Sequence, residues 1–272
     1  MRKTARLGLY LSGALVVCIL IAGLVSPFVE YIPEDHVTPG GEFKGVSLAH
    51  LLGTDFQGRD VAIRLLKGTE AFFFPGIIAA LLATGLGGLG GAISGYNQGP
   101  LRAFVIGANR LVDTLPRLVF IILVCSVVGE PSIYLIATVT GLLFVPTMST
   151  VIRRRVETLA SADYILAHIA HGFRPVRILL YHILWLQCRP LIFRQATYVF
   201  CYVLFIETAL SYLGHYGVQE PVPSWGNMVE QAKHGHPSML PWLAPAVAIV
   251  VTIASFLGFG NLIAEFDEEE VR

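Results

Sequence analysis

The stretch LASADYILAHIAHGFRPVRILLYHILW (Leu159–Trp185) decides how this chain is read; it is entered through Arg153, Arg154 and Arg155 and left through an apolar run ending ETALSYLG (Glu207–Gly214). Its first half cannot lie in lipid. An Arg at the bilayer centre costs roughly 2.5–3.5 kcal/mol on insertion scales, and several crowd here among His and Asp. The apolar residues are nevertheless ordered: Leu159, Ala162, Leu166 and Ile169 fall at helical spacing on one face, with Asp163, His168 and His171 directed elsewhere. Gly172 stops that helix by supplying the permissive backbone conformation a reversal needs, and Pro175 suits the first turn of the next. The spacing predicts two short helices meeting at Gly172. Such a water-facing elbow with an apolar stripe, set between two membrane spans, is built to dock a partner on the cytoplasmic side.

The rest of the composition agrees with a membrane setting. Of 272 residues 54% are hydrophobic and only 14% charged, more apolar than a soluble domain of this length carries. The expectation is an all-α membrane protein, a single domain over 1–272. Its six transmembrane helices lie at about 7–27, 71–95, 108–128, 132–150, 191–213 and 240–263, with the elbow, 153–187, between spans four and five. The first apolar run follows Arg2, Lys3 and Arg6, and reads as a span rather than a signal peptide because Ser26-Pro27 makes a poor cleavage site. About 14 of the Lys and Arg fall in segments placed inside and about 5 outside, which orients both termini to the cytoplasm. Cys18, Cys125, Cys188 and Cys201 lie in or beside apolar runs without CxxC spacing and read as buried thiols.

Several motifs carry or exclude chemistry. No phosphate loop G-x-x-x-x-G-K-[ST] is present, so energy must come from another chain. GLGGLG (Gly85–Gly90) matches a dinucleotide fingerprint but sits inside an apolar run without a preceding strand; Gly87, Gly91 and Gly95 instead make a groove for a close-packed helix. Glu207, with Ser211 one turn on, is a carboxylate within an apolar helix, and so bonds between helices or lines a solute path. In the external segment 28–70, Asp55, Arg59 and Asp60 can pair locally around turns at Gly53 and Gly58, making either a capped loop before an interfacial helix or a partner contact. Arg110 and Asp113 are spaced for an i,i+3 pair, and Trp225 for an interfacial anchor. The acidic tail Glu265–Glu270 reads as solvated. His168, His171 and His182, or His234 and His236, lack a carboxylate or thiolate to complete a metal set, so no metal or cofactor is expected. There is no nucleophile elbow and no nucleic-acid face.

The series ADYILAHIAHGFRPVRILLYHIL, then ETALSYLG, then VQEPVPSWGNM (Val218–Met228), together with LGTDFQGRDVAIRLLKG (Leu52–Gly68), resembles the permease subunits of dipeptide and oligopeptide ATP-binding-cassette importers. The resemblance runs from about residue 50 onward. It implies that the elbow is the coupling loop, docked in a cleft of the ATPase through Asp163, Tyr164, Leu166, Ala167, His168 and Gly172. It also implies a bacterial inner-membrane location and no catalysis in this chain. The implied partners are membrane lipid, a second homologous permease subunit, two ATP-binding subunits and an external solute-binding protein. Leu166 stands where the family usually has Glu, and Trp185 where it usually has Pro. A membrane scaffold that keeps the fold, a free-standing secondary transporter and an importer of another small solute such as a nickel chelate remain open alternatives.

Overall fold

A computed structural model describes residues 2–31, 40–160, 162–213, 216–219, 222–231 and 239–270. His234 and His236, and the side chains of Tyr164, Leu166, Ile169 and 267–270, lie outside the described residues. Among those described there is no strand, only an isolated bridge between Thr54 and Asp60. Helix α1 (Arg2–Val25) ends in a 3₁₀ turn carrying Pro27. α2 (Val61–Gly68) begins where the Asp60 carboxylate accepts the N–H groups of Ala62 and Ile63, satisfying two of the donors a helix start leaves open. α3 (Glu70–Tyr96), α4 (Pro100–Asp113), α5 (Arg117–Val128) and α6 (Ile133–Ala160) follow. Then come the short α7 (Asp163–Ala170), the single turn α8 (Pro175–Arg177), a π-helical segment Ile178–Trp185, α9 (Arg189–Leu213), α10 (Trp225–Glu230) and α11 (Leu240–Glu270).

Among the described residues, five helical stretches are long and apolar enough to cross a membrane, and a sixth crossing is supplied if α4 and α5 count as one span. The third span, expected at about 108–128, falls on two helices, α4 and α5, bent by 76° at 114–116. Pro116 is the cause: it disfavours the helical conformation at Leu115 and has no N–H to give to a continuous helix. α6 continues past the expected end of the fourth span at about 150, carrying Arg153, Arg154 and Arg155 as helix up to Ala160.

The chain forms two compact units. One comprises Met1–Gly76, Val124–Ile136 and Cys201–Phe259; the other Ile77–Leu123, Ala137–Phe200 and Gly260–Arg272. In the first unit an ionic clasp organises the segment before α2. Asp55, 1% exposed, accepts from Arg59 Nε at 2.8 Å, from Arg64 Nη1, and from the backbone N–H groups of Gln57 and Arg59 at 2.9 Å. Arg64 also donates to Gln231 Oε1 at 3.1 Å. Trp225, expected at the membrane interface, is buried instead: its Nε1–H donates to the Leu65 carbonyl at 2.7 Å and its ring lies 4.7 Å from that of Phe72. The indole is satisfied by protein, so it has no need of the headgroup region. Cys18 departs too, exposed on the outward face of α1, while the other three thiols are buried.

In the second unit α3 packs against α6 along the expected glycine groove. A Cβ at Gly87 would lie 2.6 Å from Met148 Cβ, one at Gly91 2.5 Å from the Ser149 carbonyl, and one at Gly95 2.8 Å from the Arg153 carbonyl. Three successive contacts at a spacing of four residues make a seam only hydrogen-sized side chains fit. Asp113 turns to Arg117 at 3.7 Å rather than to Arg110, because the helix ends at Asp113 and the break brings the next helix's first residue round to it.

Candidate functional site

The elbow belongs to the second unit and is built on α6. Ala162 closes a turn onto Leu159, and α7 opens at Asp163, whose side chain is exposed. The residue that pins α7 is Ile165, fully buried with Ile152, Val156, Ile178, Leu179 and Ile183. It lies off the stripe expected from spacing; of that stripe, Leu159 packs on the same core. Ala167 is exposed and His168 half-buried, so the helix keeps one side in the core and offers another outward. Gly172 adopts φ +76°, and nothing lies within 4 Å of where a Cβ would be; its requirement is conformational, since L side chains avoid this region.

After Gly172 the chain does not simply restart an α-helix. Pro175 opens a single α turn, which widens into the π-helical Ile178–Trp185, and Cys188 N–H reaches back five residues to the Ile183 carbonyl at 3.1 Å. Trp185, 63% exposed, keeps an N–H within this segment that a proline would lack. The rings of His168 and His182 stand 4.3 Å apart with Phe173 against both, and Arg177 lies 5.3 Å over the Phe173 ring. Partial burial lowers the pKa of His182 below its ordinary value, and the charges of His168 and Arg177 lower it further. His182 is therefore held toward its neutral form. His171 stands apart, its Nδ1 bonded to the Ala167 carbonyl at 2.7 Å. Burial pushes the Cys188 thiol up to about 11 despite the nearby Arg155, leaving it protonated and inert. A charge knot secures the base of the elbow: Glu157 Oε1 accepts from Arg153 at 2.9 Å and from Arg102 at 2.7 Å.

Glu207 and Ser211 lie in the first unit, on α9, both buried. Ser211 Oγ donates to Glu207 Oε1 at 2.6 Å and accepts the N–H of Val218 at 2.9 Å, and the Ser224 hydroxyl at the start of α10 also bonds the carboxyl. Among the described residues, none bonds its Oε2. The returning chain seals this corner. A capping box between Ser224 and Asn227 starts α10, and a Cβ at Gly226 would lie 2.7 Å from Ser211 Cβ. Sequence spacing missed Ile165 and the reach of Arg64 to Gln231; the helical period passing through Ile165 was visible, whereas nothing local marks a bond across 167 residues.

With that geometry in hand, a family model described as "Binding-protein-dependent transport system inner membrane component" matches residues 87–265. The chain is 30% identical over 276 residues to the oligopeptide transport system permease protein OppC of Bacillus subtilis, spanning 99% of this chain and 87% of that relative. It is 29% identical over 262 residues to the dipeptide transport system permease protein DppC of Haemophilus influenzae (92% and 88%). To the dipeptide transport system permease protein DppC of Alkalihalophilus pseudofirmus it is 26% identical over 249 residues (91% and 81%). A model that covers well over half the chain, on an all-helical fold with five or six apolar crossings, means that this chain belongs to the inner-membrane components of binding-protein-dependent transport systems and is a multi-pass permease subunit of an ATP-binding-cassette importer.

Proposed function

We propose that the chain forms one half of the translocation pore for di- or oligopeptides, the class named in its relatives, with a second homologous permease forming the other half. An external solute-binding protein delivers the cargo, and two ATPase subunits dock from the cytoplasm; the chain itself hydrolyses nothing. Both termini are cytoplasmic on this reading, supported by the excess of Lys and Arg on the elbow side. The observation that carries the proposal is the elbow: α7 anchored by Ile165, exposed at Asp163 and Ala167, and angled by Gly172. ATP binding draws the ATPases together, moves α7 with them and reorients the bundle.

Two substitutions test the docking. Leu166→Asp replaces an apolar contact worth about 1.5–3 kcal/mol with a charge, so ATPase recovered with the purified chain should fall tenfold or more. Gly172→Val should leave the ATPase bound but transport poorly, because valine resists φ +76°. Capture of ATPase at the elbow also fixes the side of the membrane on which 153–187 lies. Normal ATPase retention and transport in Leu166→Asp would show that docking lies elsewhere.

We assign Glu207 and Ser211 to holding the returning outer chain beside the path. Glu207→Ala should lower transport several-fold without releasing the ATPase. If Glu207→Gln restores transport, a hydrogen bond suffices; if it fails, charge is needed. Unchanged transport in the alanine variant would remove both roles.

A further inference from the structure

The connection from the elbow to α9 is wound in an uncommon way. Up to Ile178 the backbone is bonded as an α-helix, with Ile178 N–H reaching back four residues to the Arg174 carbonyl at 3.1 Å. The same bonding returns at Ile192, whose N–H meets the Cys188 carbonyl at 2.9 Å. Between them Ile178–Trp185 is π-helical. Each bond of a π-helix encloses one residue more than a bond of an α-helix, so the segment holds excess chain within a continuous helical path. Such segments are rare, and they occur frequently at functional sites.

Side-chain packing keeps the excess in place. Ile178, Ile183 and Cys188 follow one another at intervals of five and are all fully buried. At about 100° per residue, an α-helix would set positions five apart about 140° round from each other, so α winding could not keep all three on one face. The core they enter also contains Ile165 of α7, and all of these residues belong to the second unit. The winding therefore depends on where α7 sits.

The far end is already divided between two windings. Leu186 N–H is shared between the carbonyl of Tyr181, five residues back, and that of Ile183, three back. Cys188 N–H is shared between Ile183, five back at 3.1 Å, and Leu184, four back at 3.3 Å. A donor shared in this way passes to its α acceptor without leaving a buried N–H unpaired on the way. The outward side chains, Leu180, Tyr181, Trp185 and Leu186, are exposed and leave the coil free to turn.

We infer that Ile178–Trp185 is a slip joint: when α7 is drawn by the ATPase, Ile165 leaves the shared core and the segment passes from π to α winding, which lengthens it and rotates the elbow against α9. This rests on the proposed docking of the ATPase at the elbow, and adds the place where the motion is taken up.

The complete assembly in lipid vesicles, with both permeases, the ATPases and the solute-binding protein, tests this. Hydrogen exchange read by mass spectrometry compares the resting assembly with one arrested by ATP and vanadate. Backbone exchange over 178–188 should slow at least tenfold on arrest, because α bonds replace shared ones. Unchanged or faster exchange there, with α7 protected by the ATPase, would overturn the joint and leave the docking standing. An α7 that exchanges equally with and without the ATPase would instead overturn the docking. Deleting the exposed Leu180 removes one residue of the excess and should leave the segment α from the start. That variant should keep its ATPase and hydrolyse ATP, exchange slowly over the segment before arrest, and transport at least tenfold less. Normal transport by it would overturn the joint; should the deletion release the ATPase, exchange in the unaltered chain decides.

Discussion

Asp55→Ala is expected to destabilise the protein by about 3–5 kcal/mol, the range seen when one member of a buried ionic group is removed and the others stay behind. Two guanidiniums depend on this carboxylate: Arg59 is 2% exposed and Arg64 fully buried, and neither can turn to water without breaking the packing around it. Two backbone N–H groups, of Gln57 and Arg59, lose their acceptor as well. Thermal unfolding in detergent should show a clear drop in midpoint. Lys67→Ala supplies the comparison, since its ion pair with Glu70 is partly solvated and worth at most about 1 kcal/mol. Equal midpoints for the two variants would mean that the clasp contributes nothing beyond an ordinary surface pair.

The second large effect is expected in the glycine groove. Gly91→Ala forces a methyl group to 2.5 Å from the Ser149 carbonyl and 2.9 Å from Ile152 Cβ, both on a helix that cannot yield locally. Overpacking of this kind costs about 1–3 kcal/mol, and Gly91→Leu should exceed that and prevent α3 from seating against α6. Gly85 sits in the same helix with nothing within 4 Å of its Cβ position, so Gly85→Ala should be neutral or gain about 0.5–1 kcal/mol from helix propensity. Expression level and unfolding midpoint of the three variants test the contrast. A Gly85→Ala loss as large as that of Gly91→Ala would attribute the effect to backbone rather than to the groove.

How much could be read in advance follows from the range of the forces involved. The apolar runs, the stop at Gly172 and the groove at Gly87, Gly91 and Gly95 are encoded by residues within a few turns of one another, and period alone exposes them. The break in the third span was also written locally, in Pro116 with Asp113 and Arg117 beside it, but the apolar run that resumes at Leu118 drew the span across it. Trp225 shows the opposite case. An indole near a span end suits the headgroup region equally well, and only the Leu65 carbonyl, 160 residues earlier, decides against it. Ile165 was hidden for a subtler reason: several apolar faces could be drawn through LASADYILAHIA, and packing on Ile152 and Ile178 selected one.

The clasp also sets an order of events during synthesis. Asp55, Arg59 and Arg64 lie within ten residues of one another, so their bonds can form as soon as that segment has emerged, when little chain entropy stands in the way. Trp225 and Gln231 are made much later, after the spans between have been inserted. Until then the Leu65 carbonyl, the face of Phe72 and one side of the Arg64 guanidinium lack the partners they have in the finished protein. The nascent chain thus carries an unfilled slot for most of its translation. The arrival of Trp225 is the late step that closes an early, locally folded segment.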